Sequence, residues 1–491
     1  MLFNSWQFAA FFPLLVIAYF LTAYRFRWML LLMASYFFYM CAIPEYALLL
    51  LSATTIDYCM GLAIAGASTL CWKRAFLFIS LTANLGTLFF FKYFNFFMDS
   101  ITSIGDSVGI TLVAPHSNWL LPVGLSFYTF QTMSYSIDIY RGHLHPEKHF
   151  GRFALYVSFF PQLVAGPIER STNLLPQFRQ NFDFDYERIT GGLKLMAWGL
   201  FKKIVIADQL ATLVDSVYGA PEDLNGVHYV LATVFFAFQI YCDFSGYSDI
   251  AIGAAQVFGY RLMLNFDRPY AARSVSEFWS RWHISLSTWF RDYLYIPLGG
   301  NRVAVPRWYL NLAIVFLVSG LWHGTSWTYV TWGALHAFFL IFALATRELR
   351  QTAAHRMGLD RIPVVQAFVQ RCSVFSMICF AWIFFRADSM SDAIHIVTHL
   401  GTGWSHLFEA GWFSGACEQV GASKSYLRTS IALVLILESV QFYQSRSTQR
   451  DWRQMFAGQH WLMRWAAYAG LVLAIVNLGA PKAAPFIYFQ F

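Results

Sequence analysis

In this chain of 491 residues, 57% of positions are hydrophobic and only 12% charged, whereas soluble domains carry about 25% charged residues. With a mean hydropathy of +0.47, there is too little polar surface to face water on all sides, which excludes a soluble globular domain and requires contact with lipid. The net charge of +7 would suggest a nucleic-acid partner in a soluble protein. Here the placement of cations beside cytoplasmic helix ends accounts for it, and no nucleic acid is expected.

The first apolar run, Phe8 to Tyr24, has no basic segment before it and reads as a retained membrane helix rather than a cleaved signal. Further runs follow at Trp28–Ala42, Tyr46–Ala65, Ala75–Phe91 and Trp119–Ile139. Phe153 to Gly166 is too short to cross and fits a re-entrant or buried piece. From Ile168 to Lys203, cations (Arg170, Arg179, Arg188, Lys194, Lys202, Lys203) alternate with Phe, Leu and Tyr, the pattern of an amphipathic interfacial helix. Later runs are Tyr229–Tyr241, Tyr309–Trp322, Ser326–Ala345, Val364–Phe385, Tyr426–Phe442 and Trp465–Leu478, with polar connections at Thr346–Ile362 and Leu400–Ser425. Against the ~20 apolar residues a crossing helix needs, this amounts to roughly a dozen membrane segments. Backbone groups in hydrocarbon must be satisfied internally, so the expected class is all-α: one polytopic membrane domain over residues 1–491. No internal repeat of fixed period is visible, a mild argument against a transporter built from paired halves.

The seven cysteines (Cys41, Cys59, Cys71, Cys242, Cys372, Cys379, Cys417) lie mostly in apolar runs and form no Cys-x-x-Cys pair. Packing explains them better than zinc or disulfides.

Three constellations point to chemistry. His323, in Ser319-Gly-Leu-Trp-His-Gly, sits at the join of two apolar helices between Gly320 and Gly324. Ionisable groups at membrane depth are costly and mark functional sites, and burial favours neutral imidazole with a nitrogen able to accept a proton. The glycines suggest close approach of a substrate; a packing histidine between helices is the alternative. His336, on the next helix, reads by itself as a core histidine. Second, Ser274 to Arg302 is rich in Trp and Arg. At helical spacing it presents Glu277, Arg281, His283, Ser285, Ser287 and Arg291 as i,i+4 pairs, with Trp279, Trp282 and Trp289 beside them. The guanidinium forks suit a phosphate-bearing acyl donor, while an interfacial aromatic belt would explain the same composition. Third, Tyr241-Cys-Asp-Phe-Ser-Gly-Tyr-Ser-Asp puts Asp243 and Asp249 in an apolar helix. The readings are a broken helix lining a polar cavity, possible ion binding, or pairing of the carboxylates with the arginine-rich segment. Walker-type phosphate loops, Gly-x-Ser-x-Gly elbows and His-Glu-x-x-His zinc motifs are absent from the sequence.

The segments PQLVAGPIER (Pro161–Arg170), YCDFSGYSDIAIG (Tyr241–Gly253), NFDRPY (Asn265–Tyr270), EFWSRWHISLSTWFRDYLYIPLGGNR (Glu277–Arg302) and SGLWHGTSWTYVTWGALH (Ser319–His336), with the ending Phe486-Ile-Tyr-Phe-Gln-Phe, span nearly the whole chain. Together they resemble the bacterial alginate O-acetylation branch of the membrane-bound O-acyltransferase family. The resemblance implies a ring of helices thinned at its centre and makes His323 the essential histidine. The second polar position of the family corresponds to His283, with His336 competing for it; Trp322, Arg281, Arg291, Ser285, Ser287, Asp243 and Asp249 are then candidates for substrate binding. It further implies acetyl transfer from a cytoplasmic thioester (acetyl-CoA or an acyl carrier), with no resident cofactor or metal. The acceptor would be an extracytoplasmic polysaccharide, reached with the help of a hydrolase-like acetyltransferase partner, and the location a bacterial inner membrane, multi-pass. A transporter of polysaccharide or lipid-linked sugar, or a non-catalytic scaffold of an envelope-modifying complex, are the competing functions.

Charge alternation in the first loops sets an orientation. Arg25 and Arg27, Lys73 and Arg74, and Arg141, Lys148 and Arg152 follow the odd-numbered helices, whereas Asp99 and Asp106 follow the fourth. The N-terminus is therefore expected outside. In a cysteine-free background, single cysteines at positions 27 and 73 should resist an impermeant reagent applied from outside; their labelling would reverse the orientation.

Overall fold

The computed structural model describes residues 1–491 apart from 165, 410–411, 447–458, 480–485 and 488–491. Regular structure among the described residues is helical throughout, with no strand. Among the described residues, seven helices are long and apolar enough to cross a membrane: Tyr46–Gly66, Leu70–Ser107, Gly226–Phe258, Val305–His323, Trp327–Ala345, Pro363–Arg386 and Trp461–Leu478. Several other apolar runs of the sequence form shorter helices, such as Trp6–Leu21 and Tyr24–Met40, in keeping with the all-helical membrane class expected. The polar connections hold short helices, Arg347–Arg356 and Trp412–Gln419 among them.

The chain forms two compact units, residues 1–196 with 247–264, and residues 197–246 with 265–491. In the first unit, Leu125–Tyr140 is buried on nearly all sides. The stretch too short to cross becomes two short helices, Phe150–Ser158 and Phe160–Leu163, buried from Phe153 onward. The cation-rich stretch from Ile168 is not the single amphipathic helix its composition suggests. It holds a helix at Ser171–Gln177 and another from Tyr186 to Leu200, separated by a segment where Arg179 pairs with buried Glu147 at 2.6 Å. Phe3, Phe8, Phe38 and Phe160 pack ring against ring.

Polar groups inside this unit pair with one another, because hydrocarbon offers no partners. Asp57, wholly buried on the Tyr46–Gly66 helix, accepts hydrogen bonds from Ser80 Oγ at 2.5 Å, Asn84 Nδ2 at 2.8 Å and Ser136 Oγ at 3.3 Å. Thr132 donates to Asn84 Oδ1 at 2.9 Å. One carboxyl thereby ties three helices together.

In the second unit, Val305–His323 and Trp327–Ala345 form a tight helical hairpin. A Cβ at Gly320 would strike the backbone carbonyl of Tyr329, and one at Gly333 that of Phe316. Only hydrogen fits at either position, so the two backbones meet directly. Ser326 starts the second helix, its hydroxyl accepting from Thr328 N at 3.3 Å. Gly226–Phe258 is unbroken over 33 residues, so the interruption expected around Gly246 does not occur. Gly246 instead admits the backbone of Gly199 and Lys203.

Removing the carboxyl of Asp57 by Asp57→Ala should leave one N–H of Asn84 without its acceptor and Ser80 with Ser136 alone, at about 1–3 kcal/mol for an unsatisfied buried group. The expected outcome is a clear fall in the thermal unfolding midpoint of the purified protein. Ser52→Ala on the exposed side of the same helix should change little, and equal midpoints for the two variants would show that the Asp57 cluster is not a tie.

Candidate active site

The two imidazoles that the sequence singles out come together in the second unit. His323 is the last residue of the Val305–His323 helix and is 2% exposed. His283 is fully buried between the short helices Val275–Arg281 and Ile284–Phe290. Their ring centroids are 6.4 Å apart, and Trp322 contacts both, at 5.9 Å from His283 and 4.9 Å from His323. Trp332 at 5.0 Å and Phe385 at 5.5 Å complete an aromatic wall around His323.

The glycines beside His323 do not open it to a substrate as their spacing suggests. The missing side chain of Gly324 is replaced by the ring of Tyr329, and that of Gly320 by the Tyr329 carbonyl. Their small size serves helix packing.

His283 adopts a left-handed backbone (φ 44°), a conformation that costs energy for a non-glycine residue and persists where surrounding bonds enforce it. The bonds come from Asn265. Its main-chain carbonyl accepts from Ile284 N at 2.9 Å, and its side-chain oxygen accepts from Ser285 Oγ at 2.9 Å and Ser285 N at 3.3 Å. Because a main-chain N–H can only donate, the Asn265 atom facing it must be the oxygen. His283 Nδ1, 3.1 Å from that oxygen, therefore donates, and the lone pair of the neutral ring lies on Nε2. Burial pushes the pKa of His283 down to about 3, so the imidazole is neutral at physiological pH. Asn265 belongs to the NFDRPY segment of the sequence, but composition and spacing assign it no role; only the fold reveals it.

The left-handed residue at 283 also interrupts the helical spacing on which the pairs from Glu277 to Arg291 depend. Of the i,i+4 pairs expected there, Glu277–Arg281 forms, with Glu277 Oε1 bonded by Arg281 Nη2 at 2.8 Å and Nε at 3.1 Å. Arg281 Nη1 also donates to the carbonyl of Asp267 at 3.1 Å. Arg291 lies on a π-helical turn with its side chain 60% exposed, and its Nε bonds Asp292 at 2.8 Å. Ser287 Oγ, half-buried, donates to the Trp282 carbonyl at 3.2 Å.

Asp243 does not pair with the arginine-rich segment. It binds Lys203 Nζ at 2.6 Å, and Lys203 also reaches Asp208 at 2.9 Å, all three side chains being at most 4% exposed. Burial opposes the charge of Lys203, but the adjacent carboxylates outweigh it and raise its pKa. Lys203 is thus an internal tie rather than part of the cationic face its flanking sequence suggests. The other oxygen of Asp243 accepts from Ile487 N at 2.7 Å, and the ring of Phe486 lies 5.7 Å from Phe244, which meets His283 edge-on at 4.7 Å. Asp249, half-buried on the same helix, belongs to the first unit. Among the described residues, no group of three or more His, Cys, Asp or Glu side chains could hold a metal ion.

His336, fully buried on the Trp327–Ala345 helix, is 4.7 Å from Trp332, the ring that also touches His323. Its Nδ1 accepts from the indole N–H of Trp279 at 3.2 Å. The two candidates for the second polar position therefore occupy different places: His283 beside His323, and His336 linked to it through Trp332.

A deeply buried pair of imidazoles walled by tryptophans suits proton transfer in a water-poor site, and comparison with known proteins gives that chemistry a family. Residues 147–385 match the model of MBOAT, the membrane-bound O-acyltransferase family. A probable alginate O-acetylase AlgI of Pseudomonas putida is 35% identical over 500 residues, covering 98% of each chain. A peptidoglycan O-acetyltransferase of Helicobacter pylori is 33% identical, covering 100% of this chain and 98% of its own. A teichoic acid D-alanyltransferase of Streptococcus thermophilus is 30% identical over 49% of this chain and 62% of its own. With its helical spans, buried histidine pair and end-to-end relatives, the chain belongs to the membrane-bound O-acyltransferase family and is a multi-pass membrane O-acyltransferase.

Proposed function

We propose that the protein transfers an acetyl group from a cytoplasmic thioester, acetyl-CoA or an acyl carrier, to an exopolysaccharide such as alginate or cellulose, working in a bacterial inner membrane. The observation that supports this most directly is the His283–His323 pair, sealed by Trp322 and with one tautomer set by Asn265. The names of the end-to-end relatives, an alginate O-acetylase and a peptidoglycan O-acetyltransferase, favour acetyl as the group and an envelope polymer as the acceptor. A Gly-x-Ser-x-Gly elbow is absent from the sequence, which favours an extracytoplasmic hydrolase-like acetyltransferase as the partner that completes delivery to sugar.

In this mechanism a hydroxyl attacks the thioester carbonyl while His323 takes its proton. His283, with its lone pair on Nε2, orients that hydroxyl. Trp322 and Ser285 hold the two rings in place. The thioester is already activated, so the protein supplies proximity and a base. Arg291, exposed on its π-helical turn, receives donor phosphate. Arg281 and Ser287 support the segment from within, as Asp243 ties the Gly226–Phe258 helix to Lys203.

A positioned general base contributes about 10²–10⁴-fold. His323→Ala should therefore lower thiol release from the thioester by about 10²-fold or more while insertion and thermal stability hold. Near wild-type turnover in that variant would remove His323 from the mechanism.

Arg291→Lys loses the planar fork and should weaken donor binding by ~1 kcal/mol, the scale of one hydrogen bond. Arg281→Lys should instead lower the unfolding midpoint, since two of its nitrogens bond Glu277. Titration of thioester against both variants reads this out; unchanged affinity in Arg291→Lys returns the segment to an aromatic and arginine belt at the interface.

A further inference from the structure

The Trp279–His336 hydrogen bond fixes more than packing. An indole N–H only donates, so His336 Nδ1, which accepts from Trp279 at 3.2 Å, carries the lone pair. The neutral ring therefore holds its hydrogen on Nε2. That Nε2 has no hydrogen-bond partner among the described residues, and neither does the indole nitrogen of Trp332. Both side chains are fully buried, and their rings lie 4.7 Å apart. Trp332 meets His323 edge-on at 5.0 Å.

Two N–H donors on rings in contact, both without acceptors in a dry interior, are an unfavourable arrangement, and the aromatic faces nearby return only part of the lost hydrogen bonding. Natural structures rarely keep such donors without a use for them. Here Trp332 touches the proposed catalytic base and His336 touches Trp332, and both are already desolvated. Their full interaction is then available only when an acceptor with growing negative charge arrives. Donors of that kind stabilise a transition state more than a ground state.

Resting on the acyl-transfer reading above, we infer that Trp332 Nε1–H and His336 Nε2–H receive the negative charge that develops on the thioester carbonyl oxygen. As the acceptor hydroxyl oxygen bonds to the carbonyl carbon, its proton passes to His323 and the carbonyl π pair moves onto oxygen, where the two N–H groups meet it. The pair then returns, the carbon–sulfur bond breaks with its electrons on sulfur, and His323 passes the proton to the departing thiolate. Trp279 acts as a positioning residue: its indole holds His336 in the donating tautomer.

Trp332→Phe keeps an aromatic ring and deletes the donor. It should lower kcat by about 10²-fold, the usual effect of losing one oxyanion donor, with donor affinity unchanged. Trp382→Phe is the structural control. Trp382 is stacked 5.9 Å from Trp332 in the same cluster, so trimming it makes a similar packing defect but should largely spare kcat. The second readout needs no turnover. In a His323→Ala background, the infrared carbonyl stretch of bound carbon-13-labelled acetyl thioester should lie below its solution value, and Trp332→Phe should move it back. Equal kcat losses in Trp332→Phe and Trp382→Phe, or a stretch that Trp332→Phe leaves in place, would overturn the inference. Persistent turnover in His323→Ala alone would instead sink the base assignment, leaving the infrared result to judge the two donors.

Discussion

The side-chain oxygen of Asn265 takes three donors at once, from the amide and hydroxyl of Ser285 and from Nδ1 of His283. In a hydrocarbon-like interior each of those donors would otherwise be a desolvated group without a partner. Their convergence on one atom compensates a left-handed backbone at His283 and orients the imidazole. It also settles which ring nitrogen is basic. The His283–Trp322–His323 arrangement follows from this anchor together with the end of the Val305–His323 helix.

Behind the site lies a second polar tie of different character. Lys203 lies between Asp208 and Asp243, and buried charges of this kind persist only when paired and hydrogen-bonded. Asp243 also accepts the main-chain N–H of Ile487, while Phe486 packs on Phe244 and Phe244 on His283. The last described residues of the chain are thereby joined to the ring environment of the active site, so packing near the C-terminal segment and the position of His283 share one set of contacts.

The aromatic cluster performs two tasks that would conflict in a soluble enzyme. Trp282, Trp332 and Trp382 are almost completely buried, which excludes water and strengthens every electrostatic interaction nearby. Yet a dry site leaves indole and imidazole N–H groups in need of acceptors. Trp279 resolves its own by bonding His336; in doing so it leaves His336 with a donating nitrogen, the opposite tautomer to that of His283. Two histidines in one cluster are thus set to opposite hydrogen-bonding roles by a single neighbour each.

Composition alone determined that the chain lives in lipid and is helical, because 12% charged residues cannot clothe a soluble surface and unpaired backbone groups cannot survive in hydrocarbon. The Trp-His-Gly segment pointed to His323, since an imidazole at membrane depth is costly to keep. The tertiary structure decided the rest, because partners distant in sequence leave no periodic trace. The role of Asn265 toward His283, the pairing of Lys203 with Asp243, and the filling of the Gly320 gap by Tyr329 each join residues from separate parts of the chain. For the same reason, the i,i+4 spacing read from Glu277 to Arg291 only partly held: such pairs need an uninterrupted helix, and the left-handed residue held by Asn265 interrupts it at His283.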